Sequence, residues 1–478
     1  QSVIMGGGIM RRLRLVEAGN LPESGVFGRD LALRDFRRYL GQSRDGLCYD
    51  ASGGLFPNAF TALAGTVTDG HDLRLYLPSA YPDGDPDHRR LLDFGLPTDG
   101  CADFFNARLR RFASNETVAA DAAPEAEAVR FSEGPQVFVG RRGRGKSSRL
   151  AAKARWLGAE KRLLVVAPFR SNLTRLQQLL ADMDNVFFLS PDDALFRAPQ
   201  ADVLLVDEAS AVPPAQLLAL TARFPRYALA ASEDGYEGHG RVFSLQVLPQ
   251  LVARDGAEVI VERQAWRFAH GDALEAVLDA AFLLQPELGE APASWTVRQV
   301  GRAELAADEV LLQAVFALLF AAHYRTTPED LKRLLDLPQQ MLFVAADGAR
   351  VAGVLSILLE SPLPEDLAAS VLRGERRPQG RLLLQQLLAR TQDARFNRPW
   401  ARISRIAVHP ALRRQGIATA LIQAAQAVCP APLGVSYGHS AELAAFWQAL
   451  GFYEVWRAAD GRGLRPTSLR LCATMRFL

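Results

Sequence analysis

Two glycine loops, each set between an apolar strand and a helical stretch, constrain this chain more than any other feature. The first is Gly140-Arg141-Arg142-Gly143-Arg144-Gly145-Lys146-Ser147, which follows the apolar run 136–139 and opens a helical stretch over 147–157. The second is Arg413-Arg414-Gln415-Gly416-Ile417-Ala418, which follows the run 403–408 and opens a helical stretch over 417–427. Glycine at such a junction lets the backbone approach a ligand closely, and the unpaired N–H groups of the helix start attract an anion. Two anion cradles nearly 270 residues apart cannot belong to one small core, so the chain reads as multidomain α/β.

The first loop fits G-x-x-x-x-G-K-S. In such a loop successive backbone N–H groups hold the β- and γ-phosphates, a lysine adds a point charge, and the serine hydroxyl reaches Mg²⁺. The nucleotide site expected here is Gly140, Gly143, Arg144, Gly145, Lys146, Ser147 and Ser148, taking ATP or GTP. Leu204-Leu205-Val206-Asp207-Glu208 adds carboxylates at the end of an apolar strand. Asp207 with Ser147 would hold the Mg²⁺, and Glu208 would orient the attacking water. Asp-Glu-Ala-Ser after that strand resembles motif II of helicase-type RecA domains. Apolar runs at 136–139, 162–167, 202–206 and 227–231 alternate with helical stretches, which means a parallel sheet. One RecA-like core fits between 136 and about 299.

The second loop meets the Q/R-x-x-G-x-G/A pattern of acetyl-CoA-dependent N-acetyltransferases of the GNAT type. That resemblance implies that the CoA pyrophosphate lies on Arg413, Arg414, Gln415, Gly416, Ile417, Ala418 and Thr419. The strand before the loop, at Ile406, Ala407 and Val408, would offer free backbone groups to the thioester. The downstream run 442–452, ending Ala449-Leu450-Gly451-Phe452, has the helix-to-strand step typical of these enzymes.

The 478 residues suggest roughly three domains. We place them at 1–125, an N-terminal α/β domain; 126–300, the RecA-like parallel-sheet ATPase core; and 301–478, the GNAT acetyltransferase fold. A strand is expected over 72–78, a basic amphipathic helix over 104–114, a linker over 119–128 and a long apolar helix over 305–322. Further strands are expected over 341–345 and 351–359. The four cysteines are scattered without metal-ligand or redox spacing, which points to a reducing, cytoplasmic setting. No apolar run reaches the roughly 18 residues needed to span a bilayer, so no membrane partner is expected. Net charge is +2, yet 371–414 holds eleven arginines against two acids, leaving the rest of the chain at −7. Arginine forks match phosphate oxygens, so this segment reads as an RNA surface, with Arg376, Arg377 and Arg381 as contacts. The alternative is a solvated basic face.

With both loops placed, the chain resembles the bacterial tRNA(Met) cytidine acetyltransferases, relatives of the eukaryotic RNA cytidine acetyltransferases. The matching residues are Gly143 to Ser147, Val206 to Ala209, Gly235 to Gly238 with Gly240-Arg241, Arg267, His323-Tyr324-Arg325-Thr326-Thr327-Pro328, Arg376-Arg377-Pro378, Ser404 to Pro410, Val435 to Gly438 and Phe446-Trp447-Gln448. The likeness is weakest before Ala119. It implies ATP-dependent transfer of acetyl from acetyl-CoA to the N4 amine of a cytidine, the wobble cytidine of elongator tRNA(Met). The partners it implies are tRNA, acetyl-CoA and nucleotide. It also implies His323 as proton acceptor with Tyr324 beside it, Arg267 in the ATP site and Glu442 on acetyl-CoA. A basic family position falls on Ala449 here. His323 can also be read as a helix cap, with His439 and Tyr437 as other candidates for the base. The 235–241 loop either couples nucleotide state to RNA or is a structural turn. Measured against the family layout, an RNA-binding tail is expected to be missing after Leu478. Two other readings stay open: an RNA-remodelling ATPase with a regulatory acetyl-CoA site, and a GNAT acting on protein.

Overall fold

The computed structural model describes residues 10–39, 42–114, 130–168, 170–197, 199–233, 239–263, 268, 271–323, 326–457 and 467–472. The expected linker 119–128, Tyr324, Arg325, Arg267 and the loop over 235–238 lie outside the described residues. The chain forms two compact units: residues 1–78, 109–285 and 324–329 make the first, and 79–108, 286–323 and 330–478 the second. Residues 79–108, which the sequence reading grouped with the N-terminal segment, therefore pack with the second unit.

In the first unit, β1 (Arg12–Leu15), β2 (Leu47–Asp50) and β3 (Asp72–Tyr76) form a parallel sheet in the order β1-β3-β2. Alternation in β3 buries Leu73 and Leu75 and turns Arg74 to solvent, as the period of two requires. The larger sheet contains β4 (Gln136–Gly140), β5 (Leu163–Val166), β6 (Val186–Leu189), β7 (Val203–Val206), β8 (Tyr227–Ser232) and β9 (Glu258–Val261). Its order is β6-β5-β7-β8-β4-β9 and every pairing is parallel. The four central strands are wholly buried, which is why they read as continuous apolar runs. The edge strands β6 and β9 were not foreseen, although Val186-Phe187-Phe188-Leu189 and Val259-Ile260-Val261 are apolar runs; being at the edges, both stay part-exposed.

Gln136 opens β4, and its glycine loop lies at the other end of the strand. The Gln136 amide donates to Glu258 (2.7 Å) and accepts from Lys153 (2.5 Å), so this buried glutamine is a strut.

The second unit is built on seven strands: β10 (Thr296–Val300), β11 (Gln340–Asp347), β12 (Arg350–Glu360), β13 (Trp400–Val408), β14 (Leu433–Gly438), β15 (Phe452–Arg457) and β16 (Thr467–Cys472). The order is β10-β11-β12-β13-β14-β16-β15, antiparallel except for β13 with β14. Helix Ile417–Val428 covers one face, where Ile417, Leu421 and Ile422 meet Ala401, Ile403 and Val435. A Cβ on Gly353 of β12 would sit 2.5 Å from the Ile417 side chain, so the glycine is what lets this helix seat. Helix Leu382–Thr391 covers the opposite face, where Leu383, Leu384, Leu387 and Leu388 pack with Trp400.

The apolar helix expected over 305–322 is broken. It divides into Arg302–Ala307 and Glu309–Ala322, because the Asp308 carboxylate accepts from the Leu311 N–H (2.9 Å) and starts a new helix. Segment 79–108 joins this unit through a buried polar cluster. Lys332 donates to Asp85 (2.6 Å) and Asp87 (3.0 Å), and His88 lies 3.1 Å from Asp336. Burial alone would raise the Asp85 carboxyl, but the charge and hydrogen bond of Lys332, with Asn106, hold it below its ordinary value.

Candidate functional site

The first loop leaves β4 at Gly140. A Cβ there would lie 2.5 Å from the Glu262 carbonyl, so the loop can pass only as glycine. Gly143 and Gly145 adopt φ of 77° and 74°, the left-handed region that favours glycine. Gly145 caps helix Lys146–Leu157, whose first N–H groups have no intrahelical acceptor. Lys146 is buried and donates to the carbonyls of Gly140 (2.9 Å) and Arg141 (2.7 Å), across the mouth of the loop. Ser147 donates to Asp207 (2.9 Å), which also receives Asn172 at 3.5 Å. Burial, with the charge of Glu208 added, pushes the Asp207 carboxyl up to about 6. A buried carboxylate facing a serine hydroxyl fits a divalent cation, whose charge would offset that burial. Glu208 accepts from Ser232 (3.1 Å) and takes a left-handed conformation, φ 46°. Ser148 is exposed at the helix start.

Two acids that sequence reasoning missed complete this loop. Arg141 forms a fork with Asp279 (2.5 and 2.6 Å), and Arg144 donates to both oxygens of Glu275 (3.1 Å each). Both acids lie on helix Ala273–Phe282, which Asp272 caps by accepting from the Glu275 N–H at 2.7 Å. The Asp272-x-x-Glu275 spacing before an apolar run was the available signal.

In the second unit, β13 pairs with β14 at Ala401↔Leu433 and Arg402↔Gly434. Beyond those two pairs the strands part, and β14 continues to Gly438 paired on its other edge with β16. The ladder between β12 and β13 also shifts register at Ser356/Ile357, opposite Ser404, whose hydroxyl lies 2.8 Å from that of Ser356. Beyond the bulge the His409 N–H reaches the Ala352 carbonyl (2.8 Å), so by alternation the backbone groups of Ala407 face β12 and those of Ile406 and Val408 face the β14 side. The loop that follows exposes Arg413, Arg414, Gln415 and Gly416. Arg414 (φ 63°) and Gly416 (φ 82°) are both left-handed, a backbone form that turns neighbouring N–H groups toward one anion. A Cβ on Gly416 would meet nothing within 4 Å, so φ, not crowding, selects glycine here. Ile417, Ala418 and Thr419 form the first turn of the helix behind it. The parted strands and the open helix start fit a CoA thioester and diphosphate. Glu442 is exposed in the first turn of helix Ala441–Ala449.

His323 follows helix Glu309–Ala322 at its C-cap, where its backbone N–H reaches the Leu319 carbonyl (3.2 Å), a bond any residue but proline there would make. Its side chain does something else. The ring is hydrogen-bonded to the backbone of Ile406, on the parted strand. Burial, with the charge of Arg405 added, pushes the imidazole down to about 4 against that hydrogen bond. Arg405 is paired with Asp330 (3.0 Å), a third acid not anticipated from sequence. A neutral imidazole on the strand that would carry the thioester can accept a proton at physiological pH.

The arginine segment is not a uniform basic face. Arg373, Arg395, Arg402 and Arg405 are paired with Glu375, Asp393, Glu360 and Asp330. Arg381 must be corrected as an RNA contact: it is 4% exposed, and its guanidinium donates to Ser361 and to the Phe94 carbonyl. Gly380 and Arg381 are pressed against Asp93, which is why the side chain turns inward. Arg376 and Arg377 are exposed.

Three family models match the chain in order. "tRNA(Met) cytidine acetyltransferase TmcA, N-terminal" matches residues 17–120, "RNA cytidine acetyltransferase NAT10/TcmA, helicase domain" 137–285, and "GNAT acetyltransferase 2" 314–430. Among curated relatives, the tRNA(Met) cytidine acetyltransferase of Salmonella typhimurium is 34% identical over 86% of this chain and 66% of its own length. That of Yersinia pestis is 33% identical over 87% of this chain and 65% of its own. That of Pectobacterium atrosepticum is 37% identical over 66% of this chain and 48% of its own. The chain thus spans just under two thirds of the length of the first relatives it matches. Three collinear domain matches and identity at this level across most of the sequence lead to one conclusion: the chain belongs to the tRNA(Met) cytidine acetyltransferase family.

Proposed function

We propose that this chain transfers acetyl from acetyl-CoA to the N4 amine of an RNA cytidine, driven by a nucleotide-hydrolysing domain, with the wobble cytidine of tRNA(Met) as substrate. The observation that carries the reading is the His323 ring bonded to the Ile406 backbone, on the strand that parts from β14 just before the Arg413–Gly416 loop. Acetyl-CoA supplies the acetyl group, held by that loop, by Ile417, Ala418 and Thr419, and by Glu442. The cytidine amine is a poor nucleophile because its lone pair is delocalised into the ring, so positioning and proton removal matter most. The amine nitrogen forms the new bond to the acetyl carbon while the carbon–sulfur bond breaks and the CoA sulfur leaves. His323 takes the proton the amine loses. Backbone N–H groups of the parted strand at Ile406 and Val408 stabilise the charge that gathers on the carbonyl oxygen. Tyr324, next to His323 in sequence, orients the base or acts as acid.

In the other unit the loop from Gly140 to Ser148 holds ATP or GTP. Ser147 and Asp207 hold Mg²⁺, Glu208 orients water, and Arg267 completes the site. Nucleotide turnover remodels the RNA so that the target base leaves its stack, which costs a few kcal/mol. The segment 126–300 carries the motor and 301–478 the transferase, with 1–125 as an N-terminal α/β domain, and the setting is the cytoplasm. Among the described residues no helix is long and apolar enough to cross a membrane.

Mass spectrometry of tRNA nucleosides after incubation with acetyl-CoA and ATP tests this. N4-acetylcytidine should appear and should vanish with His323→Ala. Acetylated protein without acetylated RNA would favour a protein acetyltransferase instead, and RNA-stimulated hydrolysis with neither product would leave an RNA-remodelling ATPase.

A further inference from the structure

One cleft in the second unit has a role that neither glycine loop accounts for. It encloses about 330 Å³ and opens on the sheet face covered by helix Leu382–Thr391, opposite the helix that follows the pyrophosphate loop. Its walls include Arg376 and Arg377, then Gln386 and Arg390 from helix Leu382–Thr391, and Trp456 from β15. No carboxylate is among its described lining residues. The nearest acid in sequence, Glu375, is already paired with Arg373 at 2.7 Å.

The loop that carries the two arginines is pinned before them, where the Glu375 N–H reaches the Ser370 carbonyl (2.9 Å), and more firmly after them. The Phe94 N–H reaches the Gln379 carbonyl (2.9 Å), Gln385 holds the Pro378 carbonyl (2.7 Å), and Arg381 is buried against Ser361 and Phe94. Arg376 and Arg377 are exposed, and neither side chain has a hydrogen-bond or ion-pair partner among the described residues. A rigid loop that holds two adjacent, uncompensated guanidiniums at the rim of a cleft is preorganised for a phosphate. The cleft's other wall is aromatic. The half-buried Trp456 ring packs on the apolar cluster behind it, and the Arg390 guanidinium lies 4.9 Å from its centroid. The guanidinium plane layered over the indole face is a platform on which a base can stack. Gln386 accepts from the Ser436 hydroxyl (2.7 Å), on the stretch of β14 that has parted from β13. Its amide N–H₂ remains as a donor toward the cleft. The cleft floor is therefore bonded to the strand that would flank the acetyl group.

We propose that this cleft binds one unstacked nucleotide of a single-stranded RNA, with its phosphate on Arg376 and Arg377 and its base against Trp456 and Arg390. The proposal rests on the RNA acetylation reading and assigns its acceptor-side subsite. A cleft this size admits one base and excludes a duplex, whose bases offer no free face.

The test uses the whole chain and a fluorescein-labelled single-stranded oligocytidine carrying one 5-iodocytidine. Irradiation should crosslink it to the peptide containing Trp456. Trp456→Ala should weaken anisotropy-measured binding by roughly 5- to 150-fold, the worth of one stacked base, and Trp456→Phe should restore most of it. The pair Arg376→Ala with Arg377→Ala should flatten the log–log salt slope by roughly 1.4 and leave acetyl-CoA affinity unchanged. These loop positions are exposed, so this variant keeps the test decisive even where Trp456→Ala melts early. A crosslink confined to other peptides, or oligonucleotide affinity unchanged in both variants, would overturn the proposal. Loss of acetyl-CoA affinity instead of RNA affinity would also overturn it, since the cleft would then serve the cofactor. None of these readouts needs acetyl transfer. Binding through the cleft without N4-acetylcytidine would sink the function reading and leave this subsite standing.

Discussion

The two glycine loops look alike in sequence and differ in how their charge is held. In the first, Arg141 and Arg144 are already paired with Asp279 and Glu275, and Lys146 is folded onto the loop's own carbonyls. An arriving phosphate must compete with these partners. In the second, Arg413 and Arg414 face solvent. One loop is neutralised in advance and the other is left charged. The same contrast appears in the groups that titrate. Burial raises Asp207 to about 6 and lowers His323 to about 4. The directions are opposite but the cause is shared, because a low-dielectric site disfavours whichever form is charged. Asp207 thus takes up a proton at a higher pH than an exposed carboxylate would, while His323 is kept as the free base.

The comparison breaks first at Gly416. Gly416→Glu places a carboxylate where the diphosphate should lie and forces a side chain into a left-handed conformation. Like charges about 4 Å apart cost roughly 4 kcal/mol at a protein-like dielectric, so acetyl-CoA affinity should fall roughly a thousandfold with hydrolysis retained. Unaltered affinity in calorimetry would remove the pyrophosphate assignment. The converse test is Lys146→Ala, for which RNA-stimulated hydrolysis should drop by roughly 10²- to 10³-fold while acetyl-CoA binds as before. Hydrolysis near the parent rate would remove the nucleotide assignment. Next comes the difference in exposed charge. Arg413→Ala with Arg414→Ala should weaken acetyl-CoA binding by roughly tenfold at low salt and flatten its salt dependence. Arg141→Ala should change nucleotide affinity by less than about threefold, because its partner is internal. Equal salt slopes at the two sites would erase the distinction.

The smallest effect is the pH dependence. Asp207 must be ionised to hold a cation, so kcat/KM for ATP should decline as pH falls through about 6, roughly fourfold by pH 5.5. His323 must be neutral to accept a proton, and single-turnover acetyl transfer should persist until pH approaches about 4. A shared acid limb for the two activities would contradict this. Arg405→Gln should move the acetyl-transfer limb upward from about 4, since it removes a cation that disfavours imidazolium.

Both loops were legible because their residues are contiguous and the helix start supplies most of the chemistry. The four central strands of the larger parallel sheet were legible because burial on both faces selects near-continuous apolar runs, with polar residues only at strand ends such as Gln136 and Ser232. What sequence hid was distance. Glu275 lies 131 positions from Arg144 and Asp330 lies 75 from Arg405, and no local pattern pairs them. Arg381 was misread because composition counts charges without showing which are buried. Arg376 and Arg381 share a chemistry and a loop, yet one is exposed and the other is 4% exposed against Ser361 and Phe94. The break at Asp308 was visible as a capping residue but was outvoted by the apolar residues on both sides.

The buried cluster of Lys332 with Asp85 and Asp87 has a consequence for how the molecule is born. Asp85 and Asp87 leave the ribosome more than 240 residues before Lys332. At about 5–20 residues per second, the two aspartates wait roughly 12–50 s for their cation. Until then Asp85 lacks that cation and Asp87 has only Arg90, three positions on at 2.6 Å, so segment 79–108 keeps net exposed charge that favours water. A gene fragment beginning at residue 286 would encode Lys332 without either aspartate. Breaking a buried pair in that way costs roughly 3–5 kcal/mol. The second unit is therefore a late assembly whose first piece is synthesised early, and nascent chains released between residues 108 and 330 should show 79–108 cut readily by protease.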